Sequence, residues 1–131
     1  MTRFVRAAVT LAIVAAAACG GGSSGSGPGG VSRSKQVNTV TAAEKELLCD
    51  WFVGMVGGYG AAPTCADGFI EAPPDKPECV ATFPTCAVTV GSLQDCMQVI
   101  IDAQSVCTAD SLAAAMANAN CQAVGAAGCF N

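Results

Sequence analysis

Eight cysteines, Cys49, Cys65, Cys79, Cys86, Cys96, Cys107, Cys121 and Cys129, are spread through the C-terminal part of this 131-residue chain, and no histidine accompanies them. The missing histidine removes Ser-His, Cys-His and His-metal chemistry together. No C-x-x-C occurs, so thioredoxin-like redox chemistry and c-type haem attachment lack their motif. The closest two, Cys79 and Cys86, have six residues between them, wider than the paired ligands of a zinc site. No metal and no cofactor is therefore expected. An even count at wide spacing in an exported chain reads as four disulfides. The region that carries them is rich in Ala and Gly, with aromatics only 5% of the chain, so it needs covalent staples to supplement its core.

Export is written at the N-terminus. Residues 1–19 read MTRFVRAAVTLAIVAAAAC, with Arg3 and Arg6 ahead of an apolar stretch from Ala7 to Ala18. As a helix that stretch is about 18 Å long, against a hydrocarbon core of roughly 30 Å, which is signal-peptide length and too short to span. Small residues Ala16, Ala17 and Ala18 lead directly into Cys19 and Gly20. Small side chains suit the narrow groove of a signal peptidase, and the next cysteine supplies a nucleophile for acylation.

Ala16-Ala17-Ala18-Cys19-Gly20 resembles the lipobox of bacterial lipoproteins, with Ala16 where leucine is most common. The resemblance implies cleavage before Cys19, which becomes the mature N-terminus carrying a diacylglyceryl thioether and an N-acyl (palmitate-type) chain. Gly20, where retention signals have Asp, implies the outer membrane. Several acyl chains anchor a protein stably, at ~0.8 kcal/mol per buried CH₂. Residues 20–30, GGGSSGSGPGG, follow as a Gly/Ser tether; counted to about Asn38, such a coil reaches roughly 25 Å. The expected organisation is a signal peptide at 1–18, a lipidated cysteine and flexible linker at 19–38, and a disulfide-stapled domain at 39–131.

Within that domain the pattern is helical. Thr41-Ala-Ala-Glu44 forms a capping box, and Leu48, Trp51, Phe52 and Met55 recur on one helical face. Gly57-Gly58 ends this helix, placed at 42–56. Residues 57–88 are irregular, with Pro77 able to start a short helix over 78–83. Ala87 to Val90 is the one strand-like run. A second helix at 92–104 starts at Ser92-Leu-Gln-Asp95 and turns Leu93, Cys96, Met97, Ile100, Ala103 and Gln104 inward. A third, at 109–119, is capped by Thr108 and turns Leu112, Met116 and Ala119 inward. The fold class is a small, disulfide-rich, all-α or mostly α domain of about three helices with an irregular Gly/Pro-rich middle. If the second helix continues to Cys107, it holds Cys96 and Cys107 about 16 Å apart, beyond disulfide reach. Cys49 is expected to join the first helix to the second or third; the other pairings stay open.

Candidate functional residues are few. Gly57-Gly58-Tyr59-Gly60 presents Tyr59 either to a ligand or back over Trp51, and the second is favoured. Trp51 reads as core. Glu46 and Asp50 share a helical face, and Asp95 and Asp102 stand about 10.5 Å apart along theirs. Asp67, Glu71, Asp75 and Glu78 make the middle acidic around Pro73-Pro74. None of these has a partner that makes a catalytic site. The net charge of −4 and scattered basic residues exclude nucleic acid as the expected partner. LCDW at 48–51, GGYG at 57–60 and the spread cysteines give the chain a likeness to small, cysteine-rich lipoproteins of Gram-negative bacteria. That likeness implies no activity. The expectation is a non-enzymatic, lipid-anchored module of the cell envelope, held to the membrane by its lipid and structural or contacting an envelope or extracellular protein or glycan. The alternative is a glycan- or peptide-binding module using Tyr59, and the third reading is a carboxylate-based hydrolase.

Overall fold

The structure, a computed structural model, describes residues 26–63, 65 and 70–130. The signal segment, Cys19 and Asp67 lie outside the described residues. Five α-helices and no strand are found among the described residues: α1 (Ala42–Met55), α2 (Lys76–Ala81), α3 (Val90–Gln104), α4 (Ala109–Met116) and α5 (Ala119–Ala126). With four disulfides, this is a small, disulfide-rich all-α fold.

Helix α1 begins and ends as its sequence dictates. The Thr41 hydroxyl accepts from the Glu44 amide, and the Glu44 carboxylate accepts from the Thr41 amide at 2.8 Å. At the other end Gly57 has φ +101°, open to glycine and costly for other residues, and the Gly58 amide turns back to the Val53 carbonyl at 2.9 Å. The inward stripe differs from the expected one. Leu48, Cys49 and Val53 are buried, while Trp51, Phe52 and Met55 are half-buried.

Helix α3 is the central element, packing on both α4 and α5. Its buried residues include Leu93, Cys96, Ile100, Ala103 and Gln104, as the periodicity requires, with Met97 partly buried beside them. It starts two residues earlier than Ser92. Thr89 is the cap, its hydroxyl accepting from the Ser92 amide at 3.1 Å, and Asp95 pairs elsewhere. The helix expected at 109–119 is two helices. Asn118 interrupts it and caps α5 by accepting from the Asn120 amide at 2.9 Å. The chain therefore turns, burying Ala115, Cys121 and Val124 but leaving Met116 exposed.

The largest departure from the sequence reading is at the N-terminal side. Residues 26–40, assigned mostly to the linker, form a strap across the helices. Val31 and Val37 are 2% and 1% exposed. The strap is held because α3 needs it: a helix's first amides have no partner within the helix. The Val90 amide donates to the Lys35 carbonyl and the Gly91 amide to the Arg33 carbonyl, both at 2.8 Å. Together with the Thr89 cap, these contacts satisfy the first three amides of α3. A Cβ at position 91 would stand 3.1 Å from the Arg33 carbonyl oxygen, so glycine there admits the strap. The strand-like run at 87–90 finds its partner in the same segment, through an isolated antiparallel bridge between Gln36 and Thr89 and a 2.8 Å bond from the Val37 amide to the Val88 carbonyl. Side chains reinforce the strap. Arg33 donates to both carboxylate oxygens of Asp95, Gln94 donates to the Pro28 carbonyl, and Lys35 donates to both oxygens of Glu44.

The Lys35 contact, together with the amide and hydroxyl of Thr41, holds the Glu44 carboxyl down at about 2, from the usual 4.5. A lowered carboxyl stabilises the fold fully above its unfolded value and loses that contribution as pH falls through the folded value. Glu44→Gln should therefore flatten the decline in urea midpoint between pH 4.5 and about 2. An unchanged slope in that window would mean that Lys35 does not hold the strap.

The core is built from small side chains; its fully buried members are Val31, Val37, Val90, Val124, Cys49, Cys96 and Cys121. Disulfides run through it. Cys96–Cys121 joins α3 to α5, Cys86–Cys129 ties the segment before α3 to the C-terminal tail, and Cys65–Cys107 pins the middle segment to the end of α3. The excluded pair Cys96–Cys107 is indeed not formed. Cys49 corrects its expectation: it bonds to Cys79 on α2, not to either of the later helices. The short helix over Pro77 packs on α1 and brings Cys79 to a Cα separation of 6.0 Å from Cys49.

Candidate site: an aromatic and proline-lined groove with an acidic rim

Three separate stretches meet beside the Cys49–Cys79 disulfide. Helix α1 contributes Trp51 and Phe52, the segment 71–84 contributes Pro73, Pro74, Phe83 and Pro84, and α3 contributes Leu93 and Met97. They enclose an open groove of about 420 Å³. The positions follow from local structure. Trp51 and Phe52 lie past the buried stripe of α1, and the Cys49–Cys79 bond holds α2 across from them. Pro73 is fixed by its carbonyl, which accepts from the Gly60 amide at 2.9 Å. Glu71 and Glu78, both exposed, also line the groove. A second hollow of about 530 Å³, between Ile70, Ile100, Leu112, Met116 and Phe130, shares Met97 with the groove and has no polar side chain in its lining.

Tyr59 is half-buried and donates its hydroxyl to Asp50 at 2.9 Å; Lys76 of α2 donates to the other oxygen of the same carboxylate at 2.7 Å. Tyr59 is not among the residues lining the groove. Burial first, then the bond to Asp50 and the charges of Asp50, Glu46 and Asp75, push the Tyr59 phenol up to about 12. Lys76 and Tyr59 together hold Asp50 below the usual carboxylate range. Tyr59 is the one tyrosine in the chain, so its ultraviolet titration reports on this cluster directly. Ionisation is expected near pH 12 rather than 10. Asp50→Asn should bring it part of the way back, because burial remains. As a phenol raised in the folded state, Tyr59 adds stability below pH 10 that is lost as pH rises toward 12. A titration near 10 in the native chain would contradict this geometry.

Apart from Glu71 and Glu78, which share the groove, the carboxylates singled out in the sequence are engaged separately. Asp50 is held by Tyr59 and Lys76, Asp95 by Arg33, and Asp102 accepts from Gln98 at 2.9 Å, while Asp75 caps α2. Glu46 joins neither a salt bridge nor a side-chain hydrogen bond among the described residues. Among those residues no group of three or more Cys, Asp or Glu is placed to hold a metal ion, and no helix is long and apolar enough to cross a membrane. Trp51 was expected in the core, yet it is half-buried and stands on the groove wall. Sequence reasoning missed the groove itself. Its only advance signals were three aromatic residues, Trp51, Phe52 and Phe83, together with Pro73-Pro74 and Pro84. Comparison of the chain with family models, curated proteins and solved structures finds no match.

Proposed function

We propose that this chain is an exported lipoprotein, anchored through Cys19 at the outer membrane, whose stapled domain is a non-enzymatic contact module. The aromatic groove between α1, α2 and α3 is its binding face. The observation that carries this reading is the groove: a preformed concavity with apolar walls and a few polar groups at its edge is the usual form of a recognition site. Asp50, Asp95 and Asp102, each held by its own separate partner, favour contact over catalysis. The lipobox-like residues and the Gly/Ser stretch after Cys19 support the anchor and tether. Its partner would be an envelope or extracellular protein.

A photoreactive residue at Thr82, exposed on the groove, should cross-link in intact cells to give a discrete heavier species. The same residue at Gln122, exposed on α5, should not. Equal products from both positions, or none from Thr82, would overturn the groove as the contact face.

A further inference from the structure

The charges around the groove point to the chemistry of its occupant. Among the described residues, Arg33 is paired with Asp95, Lys35 with Glu44 and Lys76 with Asp50. The remaining cation, Lys45, stands with its Nζ 5.8 Å from the centre of the Phe83 ring. Glu71 and Glu78 line the groove without a salt bridge or side-chain hydrogen bond among the described residues. The groove thus combines two carboxylates that form no ion pair among the described residues with the rings of Trp51, Phe52 and Phe83. An aromatic face attracts a cation through its quadrupole, and Phe83 already attracts Lys45 in this way.

Resting on the reading of this groove as a contact face, we propose that it takes an extended protein segment carrying an arginine, the guanidinium seated between the aromatic wall and the two glutamates. Arginine suits the site better than lysine because its planar, weakly hydrated head stacks on rings while its N–H groups bond carboxylates. Pro73, Pro74 and Pro84 offer no backbone N–H to the occupant, so the segment does not add as a β-strand and is recognised through its side chains. A groove of about 420 Å³ holds more than one cationic head, leaving space for an apolar neighbour beside Leu48 and Met97.

Trp51 is the one tryptophan, and its fluorescence reports occupancy. The full lipidated chain in zwitterionic nanodiscs is titrated with a blocked tetrapeptide of leucine, arginine, proline and leucine. A second peptide carries citrulline, the neutral isostere, in place of arginine. The arginine peptide should shift Trp51 emission saturably and bind about tenfold more tightly than the citrulline peptide. Glu71→Gln with Glu78→Gln should remove that difference, leaving the citrulline peptide unaffected. Equal binding of both peptides to the native chain would overturn the arginine proposal while leaving the groove as a contact face. Arginine amide alone binding as tightly as the peptide would replace the protein segment by a small cation. If neither peptide shifts Trp51 the arginine proposal fails, and if Thr82 also yields no cross-link the contact reading fails with it.

Discussion

Replacing Cys96 and Cys121 together by alanine is expected to be the most damaging change in the folded domain. The bond closes a loop with a sequence separation of 25, and chain entropy alone gives it about 3.5 kcal/mol. Both cysteines are 0% exposed, between α3 and α5, so the loss of two sulfur atoms also leaves a void in a core with few large side chains. Small domains have only about 5 kcal/mol or a little more of net stability, so the variant should unfold at a much lower urea concentration and lie close to unfolded at growth temperature. The comparison that separates the two causes is Cys65→Ala with Cys107→Ala. That loop is longer, with a separation of 42, but Cys107 is exposed. If chain entropy were all that mattered, the second variant would be at least as unstable as the first. The expected order is the reverse, with the α3–α5 variant less stable. A loss under about 1 kcal/mol for the α3–α5 variant would contradict the view of this fold as stapled through its centre.

Cys19→Ser should have the largest effect on where the protein resides. A thioether cannot form on serine, so acylation fails and the processing that depends on it stops. Each acyl chain contributes ~0.8 kcal/mol per buried CH₂, and the difference between several chains and none is that between a permanent anchor and no anchor. The variant is expected to lose all incorporation of an alkyne-labelled fatty acid and to accumulate as an unprocessed precursor or pass to the soluble fraction. Continued labelling and mature-sized, membrane-held protein would remove Cys19 as the lipidation site.

The sequence made some elements of this fold readable and concealed others for physical reasons. Helix α1 was legible because its ends are determined locally, by the Thr41–Glu44 box and the Gly57-Gly58 stop. Helix α3 was legible from its apolar period, although its true cap, Thr89, lies beside an equally plausible Ser92. The break between α4 and α5 was obscured by alanine, which favours helix on either side and leaves Asn118 as the only mark of the turn. The strap was hidden by its own composition. Val31 and Val37 stand among Gly, Ser and charged residues, and the strap that carries them is bonded to the first amides of α3, Val90 and Gly91, far along the chain. The groove was concealed for a similar reason, since its walls come from residues near 51, 73, 83 and 97, which meet beside the Cys49–Cys79 bond. Trp51 and Phe52 fit the periodicity of a core stripe; what moved them to a wall was the identity of the partner helix, which periodicity does not encode.

The anchor and the staples together make the central claim, and one measurement addresses both. Intact mass is taken on protein extracted from membranes and treated with a thiol alkylator, before and after reduction. The expected result is a chain beginning at Cys19 with acyl additions, no alkylation before reduction and eight alkylated cysteines after it, matching the four bonds of the structure. An unacylated chain with several thiols alkylated before reduction would contradict it, and would free those cysteines for metal or redox chemistry.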